Sequence, residues 1–238
     1  MTSSLHEPES LGRSSALLEL VKIQTALKRR IERNKLAAYR PYTKQLEFHA
    51  VGLQHRERLF MAGNQLGKTL AGGMEVAMHL TGRYPDWWPG LRFTQPTRWW
   101  ASNVTSELTR DGPQRILIGP PADESEWGTG TIPGDCLVDT NRATGISDAI
   151  STALVKHISG GNSYLGFKAY EQGRQKWQSE TLDGVWFDEE PPLDIYTEGL
   201  TRTNASLGPV IVTFTPLLGM SEVVRMFLTD DELESMKA

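Results

Sequence analysis

The strongest constraint on the fold is a phosphate-loop pattern in the first third of the chain. An apolar segment, Arg58 to Ala62, runs into the sequence GNQLGKT, and a helix-like segment, Lys68 to Leu80, follows at once. A polyphosphate requires this order, because backbone N–H groups of the loop converge on it and the helix N-terminus adds its dipole. The pattern predicts a nucleotide-binding loop made of Ala62, Gly63, Asn64, Gln65, Leu66, Gly67, Lys68 and Thr69.

The same loop predicts the cofactors. In a Gly-x4-Gly-Lys-Thr pattern the lysine, here Lys68, reaches the β and γ phosphates of ATP, and the hydroxyl group of Thr69 is a ligand of Mg²⁺. The strict pattern begins with glycine where this chain has Ala62. One added methyl group leaves the order of strand, loop and helix intact, so we expect binding of ATP and Mg²⁺. An accidental Gly-Lys-Thr turn is the alternative.

An acidic motif supplies the second half of the predicted site. The buried-strand pattern Gly184 to Phe187 ends in Asp188, Glu189 and Glu190, about 120 residues after the phosphate loop. Open α/β sheets place their ligands at the carboxyl ends of strands. We expect Asp188 to hold Mg²⁺ and Glu189 to orient the attacking water, with Glu190 as the second candidate for that role. An acidic turn before two prolines is the alternative reading.

Two weaker features lie near these motifs. Tyr42 and Gln45 precede the phosphate-loop strand, where an amide can read an adenine edge while an aromatic ring stacks on the base. The same two residues would also suit a helix-capping turn. Thr213 and Thr215 lie at the end of an apolar strand, from which their hydroxyl groups could sense the γ-phosphate, although threonine is also common in surface turns.

The pattern along the chain predicts an α/β fold. After residue 40, short apolar segments alternate with helical ones, which is typical of a mostly parallel central sheet flanked by helices. The predicted strands are 58–62, 91–94, 137–140, 154–158, 163–169, 184–187 and 209–214, with a turn at Gly160-Gly161. Helices are expected at 68–80 and 100–108, and a loop at 84–90.

The two ends of the chain differ from its middle. Residues 1–12 lack periodicity and are expected to be a disordered leader, followed from Ser14 or Ser15 by an amphipathic helix with a basic end. Residues 1–40 are therefore predicted to be an appendage, 41–220 the ATPase domain, and 221–238 an acidic helical tail or the start of a linker.

Composition excludes several classes of protein. Apolar stretches are far shorter than the roughly 18 residues that span a bilayer. The single cysteine, Cys136, permits no intrachain disulfide and no cysteine-based zinc cluster. A net charge of −4 argues against a protein that coats nucleic acid by charge alone, but not against a few DNA-contacting loops.

Taken together, the motifs resemble those of the large terminase subunits of tailed bacteriophages, over roughly positions 40 to 225. The resemblance rests on QLGKT at 65–69, EQGR at 171–174, DEEPP at 188–192 and TFTPLLGMS at 213–221. The combination is more specific than any one motif. It implies a P-loop NTPase of the additional-strand class, related to helicases and recombinases.

The resemblance also implies a function and partners. Proteins of this family drive viral DNA into a procapsid, so the implied partners are double-stranded DNA, the portal protein, the small terminase subunit and further copies of this chain. These copies are expected to form a ring, a pentamer, in the cytoplasm of the infected bacterium, with no membrane involved. By position, the resemblance implies that Gln45 reads adenine, that Lys68 and Thr69 bind phosphate and Mg²⁺, and that Asp188 and Glu189 are the metal-binding and the catalytic acid. It also implies that Thr213 to Pro216 couple hydrolysis to movement.

Two departures from the family pattern matter. Many terminases have an arginine in the phosphate loop where this chain has Asn64, so the transition-state cation is expected from a neighbouring subunit, with Arg174 or Lys176 as candidates and Arg202 as the fallback. Only 22 residues follow Pro216, too few for a nuclease domain, and ATPase activity without DNA cleavage is expected. The acidic residues of the tail are Asp230, Asp231, Glu232 and Glu234.

Two other functions remain open from the sequence. A helicase or another ATP-driven DNA translocase would share every residue of the predicted site. A nucleotide-responsive binding module could instead dock a partner through exposed tryptophans, although packing inside the fold is the more common fate of such side chains. The tryptophans concerned are Trp87, Trp88, Trp99 and Trp100.

Overall fold

A single seven-stranded sheet forms the centre of the protein. The computed structural model describes residues 8–63, 65–178, 180–216 and 221–228, with side chains from residue 16 onward. The strands are β1 Glu57–Met61, β2 Arg98–Asn103, β3 Leu137–Arg142, β4 Ile150–Lys156, β5 Asn162–Ala169, β6 Gly184–Asp188 and β7 Val210–Phe214. Their order in the sheet is β1-β7-β6-β2-β5-β4-β3.

The strand directions confirm the predicted fold class. In sheet order, the neighbours from β1 through β7, β6 and β2 to β5 are parallel. At the other edge, β4 pairs antiparallel with both β5 and β3. The predicted turn at Gly160-Gly161 connects β4 to β5, and the N–H group of His157 donates to the carbonyl of Gly161 across it. The sheet is therefore the mostly parallel α/β type.

The helices cover both faces of this sheet. They are α1 Pro8–Glu32, α2 Lys35–Ala38, α3 Thr43–Ala50, α4 Lys68–Thr81, α5 Ser106–Thr109, α6 Arg115–Leu117, α7 Leu193–Arg202 and α8 Glu222–Phe227. Every residue of β6 and β7 is buried. Alternate residues of these strands face opposite cores, so Trp186 and Ile211 pack with α4, whereas Phe187 and Val212 pack with α7.

One predicted helix is wrong. The segment Trp100 to Leu108 was expected to be helical, but its first part belongs to β2, which lies between β6 and β5 in the sheet. Trp99 and Trp100 are fully buried on opposite faces of this strand, where large aromatic side chains fill the space between sheet and helices. Only the short helix α5 follows, and the Thr105 hydroxyl group caps it by accepting from the N–H group of Leu108.

One predicted strand is also wrong. Residues 91–94 form a loop, and the N–H group of Phe93 donates to the Tyr84 hydroxyl group at 2.7 Å. The ring of Phe93 packs edge-on against His79 and Trp99. The two apolar residues of this segment, Leu91 and Phe93, are therefore partly buried loop residues, while residues 84–90 form the expected loop.

The N-terminal helix begins earlier than predicted. Helix α1 starts at Pro8, so the expected disordered leader is wrong for residues 8–12, while residues 1–7 lie outside the described part of the chain. The acidic residues 230–234 also lie outside it. Among the described helices, none has both the length and the apolar character that a membrane span needs. The domain limits at residues 40 and 220 remain predictions.

Candidate nucleotide site

The phosphate loop follows β1 and ends at the first turn of α4. Gly67 has φ +76°, a left-handed conformation that suits glycine, and it caps the N-terminus of α4. Lys68 is the first residue of the helix, and its buried Nζ donates to the carbonyl of Gly63 at 3.0 Å. The ammonium group of Lys68 therefore contacts the first glycine of the loop, near the N-terminus of α4. Asn64 lies outside the described residues.

Helix α3 holds this loop from the side. The buried Gln45 side chain donates from Nε2 to the carbonyl of Gly67 at 2.8 Å, and its Oε1 accepts from the N–H group of Tyr42 at 2.9 Å. A Cβ atom at Gly67 would lie 2.7 Å from that Nε2 atom. The predicted pair is thus a capping turn that contacts the phosphate loop, with the Tyr42 side chain 73% exposed beside it.

Asp188 lies where the loop, β6 and β7 meet. Its Oδ1 accepts from the Thr69 hydroxyl group at 3.0 Å and from the Thr213 hydroxyl group at 2.9 Å. Its Oδ2 accepts from Nδ2 of Asn103, at the end of β2, at 3.3 Å. The structure therefore brings together three predicted residues, Thr69, Asp188 and Thr213, from separate parts of the chain.

The Asp188 carboxyl has an unusual pKa. Its pKa is raised from the ordinary 3.8 to about 6. Burial is the main cause, the hydrogen bonds from Thr213 and Thr69 partly offset it, and the nearby Glu189 charge adds to the rise. These donors, like Asn103, are neutral groups. A buried carboxylate without a charged partner is costly, and a bound cation would remove that cost.

The donor chemistry around Asp188 fits Mg²⁺. A carboxylate oxygen and a hydroxyl oxygen lie 3.0 Å apart at the mouth of the phosphate loop, and Mg²⁺ prefers such oxygen ligands. Within the described residues no group of three or more His, Cys, Asp or Glu side chains could hold a metal by itself. Mg²⁺ suits this small set, because it commonly binds one or two protein groups together with substrate phosphates and waters.

Glu189 leaves the strand in a strained conformation. Its φ is +72°, in the left-handed region that non-glycine residues seldom adopt. The N–H group of Glu189 donates to the Thr213 carbonyl at 2.7 Å, and its carbonyl accepts from the Tyr170 hydroxyl group at 2.7 Å. The carboxylate accepts from the N–H group of Thr215 at 3.3 Å. Such strain is found where a side chain must be held in one place.

Glu190, the second candidate base, differs from Glu189. Its Oε1 atom is buried without a hydrogen-bond partner among the described residues. Burial, followed by repulsion from Glu189, raises its pKa above the ordinary value. In the described part of the chain no donor reaches this Oε1 atom, whereas the N–H group of Thr215 donates to the carboxylate of Glu189.

Of the cations considered for a neighbouring subunit's site, Arg174 and Lys176 precede the acidic motif in the chain and Arg202 follows it. Arg174 and Arg202 share one partner, because each makes an ion pair of 2.9 Å with the buried Glu198 of α7. The Arg174 side chain is 59% exposed and that of Arg202 is 23% exposed. Lys176 is exposed on the same short segment as Arg174. Arg174 thus combines exposure with a fixed position.

The structure adds two site residues that the sequence did not reveal, Asn103 and Tyr170. Asn103 was hidden inside the wrongly predicted helix at 100–108, although a polar residue ending an apolar strand is a usable signal. The proposed tryptophan docking surface is wrong, because Trp88, Trp99 and Trp100 are at most 5% exposed and Trp87 is half-buried.

The sheet and the site together define a class of protein. The phosphate loop follows β1, Asp188 ends β6, and β7 lies between these two strands and contributes Thr213. An extra strand between the phosphate-loop strand and the acidic strand is the mark of the predicted class. The fold is that of a P-loop NTPase of the additional-strand class.

Comparison of the sequence with known proteins identifies one family within this class. The sequence matches the family described as terminase large subunit, T4likevirus-type, N-terminal, over residues 59–238. It is 45% identical over 210 residues to the terminase large subunit of Salmonella phage P22. This match covers 81% of this chain and 42% of the phage P22 protein. The chain belongs to the terminase large subunit family, as the motifs indicated.

Further relatives cover less of the chain or are more distant. The terminase large subunit of Enterobacteria phage LP7 is 33% identical over 127 residues, which is 52% of this chain and 26% of that protein. Two solved structures of the large terminase from a thermophilic bacteriophage are also similar. One has a TM-score of 0.48 at 12% identity, covering 83% of this chain and 50% of that one. The other, in complex with ADP, has a TM-score of 0.45 at 13% identity, covering 82% and 49%.

The chain spans less than half the length of these curated relatives, 42% of the phage P22 protein and 26% of the phage LP7 protein.

Proposed function

We propose that this chain hydrolyses ATP with Mg²⁺ and is the motor domain that moves double-stranded viral DNA into a procapsid. The observation that carries the proposal is the Asp188 carboxylate. It joins the phosphate loop through Thr69 and the neighbouring strand through Thr213, within 3.0 Å of each hydroxyl group. Membership of the terminase large subunit family supports the packaging role.

Nucleotide binding would use the loop and helix α3. Backbone N–H groups of the loop face the phosphates, and Lys68 exchanges its bond to the Gly63 carbonyl for the β and γ phosphates. Gln45 lies against Gly67 and keeps one amide hydrogen for the adenine edge, with Tyr42 beside it to stack on the base. The residues proposed for this binding are Tyr42, Gln45, Ala62, Gly63, Asn64, Gln65, Leu66, Gly67, Lys68, Thr69 and Thr215.

Thr69 and Asp188 would hold Mg²⁺, which supplies neutralising charge to the β and γ phosphates. Asn103 keeps the Asp188 carboxylate turned toward Thr69 by donating to its second oxygen. Trp186 donates from Nε1 to the Thr213 hydroxyl oxygen at 2.8 Å, and this bond directs the Thr213 hydrogen to Asp188. The carboxylate is therefore positioned before any ligand arrives.

Hydrolysis would depend on Glu189. One of its carboxylate oxygens accepts from the N–H group of Thr215, and the other would accept a hydrogen from the attacking water. Phosphoryl transfer needs a positioned nucleophile and stabilised charge more than covalent chemistry. The strained backbone of Glu189 holds that carboxylate in one orientation.

Coupling to movement would use the end of β7. Thr213 bonds to Asp188, and the N–H group of Thr215 bonds to Glu189, so one strand end contacts both acidic residues. A shift of this end when the γ-phosphate leaves would reach residues 216 onward. Residues 213–216 are thus the proposed link between hydrolysis and motion.

Arg174 of one subunit would stabilise the negative charge that develops on the phosphates of the nucleotide in a neighbouring subunit. This exposed side chain is held by Glu198 in its own subunit and could exchange that partner for a neighbour's nucleotide. Lys176 and Arg202 are the alternatives. The proposed assembly is a homo-oligomeric ring, a pentamer, that works in the host cytoplasm with the portal protein and the small terminase subunit.

The test of hydrolysis compares three variants in ATP turnover and ATP binding. Glu189→Gln is expected to lose at least about 100-fold in turnover while it still binds ATP, because only the water-orienting carboxylate is lost. Lys68→Ala should lose binding itself. Glu190→Gln is the matched control and should stay near wild type. Retained turnover in Glu189→Gln would remove Glu189 from this role, and a loss confined to Glu190→Gln would transfer the role to Glu190.

The trans cation is tested by mixing variants. Arg174→Ala and Lys68→Ala subunits should each be inactive alone in the assembled ring, and mixing should restore part of the turnover. Lys168→Ala, whose Nζ donates to the Lys176 carbonyl, is a control for mere disturbance of this segment. Full turnover by Arg174→Ala alone would show that the cation is another residue.

A further inference from the structure

The hydroxyl group of Tyr170 donates to the carbonyl of Glu189 at 2.7 Å, and it also lies 3.3 Å from the carbonyl of Asp188 at the end of β6. We propose that Tyr170 is a positioning residue that holds the Glu189 carboxylate in its working orientation. The inference rests on the proposed hydrolytic role of Glu189. It adds a residue outside the phosphate loop and outside the acidic motif to the machinery.

Tyr170 is well placed for this task. It is 5% exposed, follows the last residue of β5 directly, and opens a short 3₁₀ turn. Its ring lies 6.0 Å from that of Phe187 and 6.3 Å from that of Trp177. These contacts aim the hydroxyl group across the carboxyl end of the sheet, where it donates to the Glu189 carbonyl at 2.7 Å.

The conformation of Glu189 shows why such a bond is needed. A glutamate at φ +72° is disfavoured by its own side chain, and it would relax to an ordinary conformation if released. Two bonds oppose this relaxation. The N–H group of Glu189 is held by the Thr213 carbonyl at 2.7 Å, and its carbonyl is held by Tyr170.

Loss of the Tyr170 hydroxyl group would free one of these two anchors. The carbonyl of Glu189 could then rotate, and the carboxylate would move away from the N–H group of Thr215 at 3.3 Å. The bond of Lys68 to Gly63 and the side-chain bonds of Asp188 to Thr69 and Thr213 do not involve this peptide carbonyl. The backbone carbonyl of Asp188 also lies 3.3 Å from the Tyr170 hydroxyl group, and it stays within β6. The consequence is specific: slower turnover with unchanged ATP binding.

The experiment is the variant Tyr170→Phe, which keeps the ring and removes only the hydroxyl group. We expect kcat to fall by about tenfold, the order of effect of one buried hydrogen bond, with KM and the Kd for ATP within about twofold of wild type. Tyr164→Phe is the matched control. It lies on β5, its ring packs under Arg98, and it should leave kcat unchanged.

A double variant separates positioning from general support of the fold. If Tyr170 acts through Glu189, Tyr170→Phe adds no further loss of turnover in the Glu189→Gln background. Urea unfolding of both tyrosine variants shows whether the fold is intact. A purely structural role would lower kcat and ATP binding together, or lower turnover further in the double variant.

The outcomes also distinguish the positioning role of Tyr170 from the hydrolytic role of Glu189 on which it depends. If Glu189→Gln retains turnover, the proposed role of Glu189 fails, whatever Tyr170 does. If Glu189→Gln loses turnover but Tyr170→Phe equals Tyr164→Phe, the hydrolytic role stands and the positioning role of Tyr170 is wrong.

Discussion

Helix α4 contacts two polar regions that handle a buried carboxylate in opposite ways. At its first turn, Thr69 meets Asp188, which is 4% exposed, has neutral donors and has a pKa raised to about 6 by burial. Two turns later, Glu75 is 1% exposed. Burial alone would raise the pKa of Glu75, but Arg58 at 2.5 Å and the hydrogen bonds of His49 and His79 hold it well below its usual range.

The difference is the one expected between a structural carboxylate and a carboxylate with the ligand-binding role proposed for Asp188. The ionic cluster of Glu75, Arg58, His49 and His79 is complete within the chain and ties β1, α3 and α4 together behind the phosphate loop. Asp188 has no such cationic partner among the hydrogen bonds of the described residues. We expect changes in the cluster to affect stability, and changes at the loop to affect ligand binding.

The largest expected effect comes from removing the charge of Glu75. Glu75→Gln leaves the guanidinium group of Arg58 buried without its partner, and we expect a loss of about 3–5 kcal/mol in the free energy of unfolding, measured by urea denaturation. Glu47→Gln, on a surface pair with Lys44, is the control and should change little.

Asp188→Asn tests the other half of the comparison. Because the ionised carboxyl is disfavoured by burial, its replacement by the neutral isostere should leave the free energy of unfolding unchanged or raise it. A loss comparable to that of Glu75→Gln would show that the two carboxylates are both structural and would break the comparison.

A smaller effect is expected at Gly67, where the loop meets α4. Gly67→Ala introduces a Cβ atom 2.7 Å from Nε2 of Gln45 at a φ of +76°, so Gln45 must move from the loop. We expect ATP affinity to fall by about tenfold or more, measured by calorimetry, from a backbone strain of about 1–2 kcal/mol and the lost contact. Gly145→Ala has a similar φ of +83° with nothing within 4 Å, so it should cost stability alone.

The smallest predicted effect is a pH dependence of the ionic cluster. Burial lowers the pKa of His79 below 6.5, despite the hydrogen bond to Glu75. The unfolded chain therefore binds a proton more readily, and this contribution to stability is complete above pH 6.5 and is lost as the pH falls through the lowered value. Unfolding of the ligand-free protein should be easier at pH 5.5 than at pH 7.5, and His79→Gln should reduce that difference. An identical difference in both proteins would show that His79 does not titrate in this window.

Local patterns in the sequence were enough to predict one half of the site. Strands β1, β6 and β7 are short segments that run directly into the phosphate loop, the acidic motif and the threonine motif, so strands and functional residues could be predicted together. The adjacency of Thr69, Asp188 and Thr213 agrees with that reading. Family resemblance supplied the additional-strand class.

The other half depended on contacts that no local pattern contains. Polar and apolar residues do not alternate along the segment RWWASN, because both faces of β2 are buried. The sequence therefore carried no strand pattern there, and the predicted helix at 100–108 included residues 100–103 of this strand. Asn103 was lost with it. Glu75 and His79 are four residues apart, a spacing typical of a surface pair on a helix. They are buried by contacts with α3, β1, β2 and the loop after α4, which no local pattern predicts. The contact of Tyr170 with Glu189 depends on the order of strands in the sheet.

We expect Asp188, which has no cationic hydrogen-bond partner in the described part of the chain, to bind Mg²⁺ together with ATP. This claim is tested by the affinity of ATP with and without Mg²⁺, measured by calorimetry for wild type and Asp188→Asn. We predict that Mg²⁺ strengthens ATP binding to wild type and that Asp188→Asn loses this strengthening while it keeps the affinity for ATP alone. If Asp188→Asn kept the full effect of Mg²⁺, the metal would bind elsewhere and the claim would be contradicted.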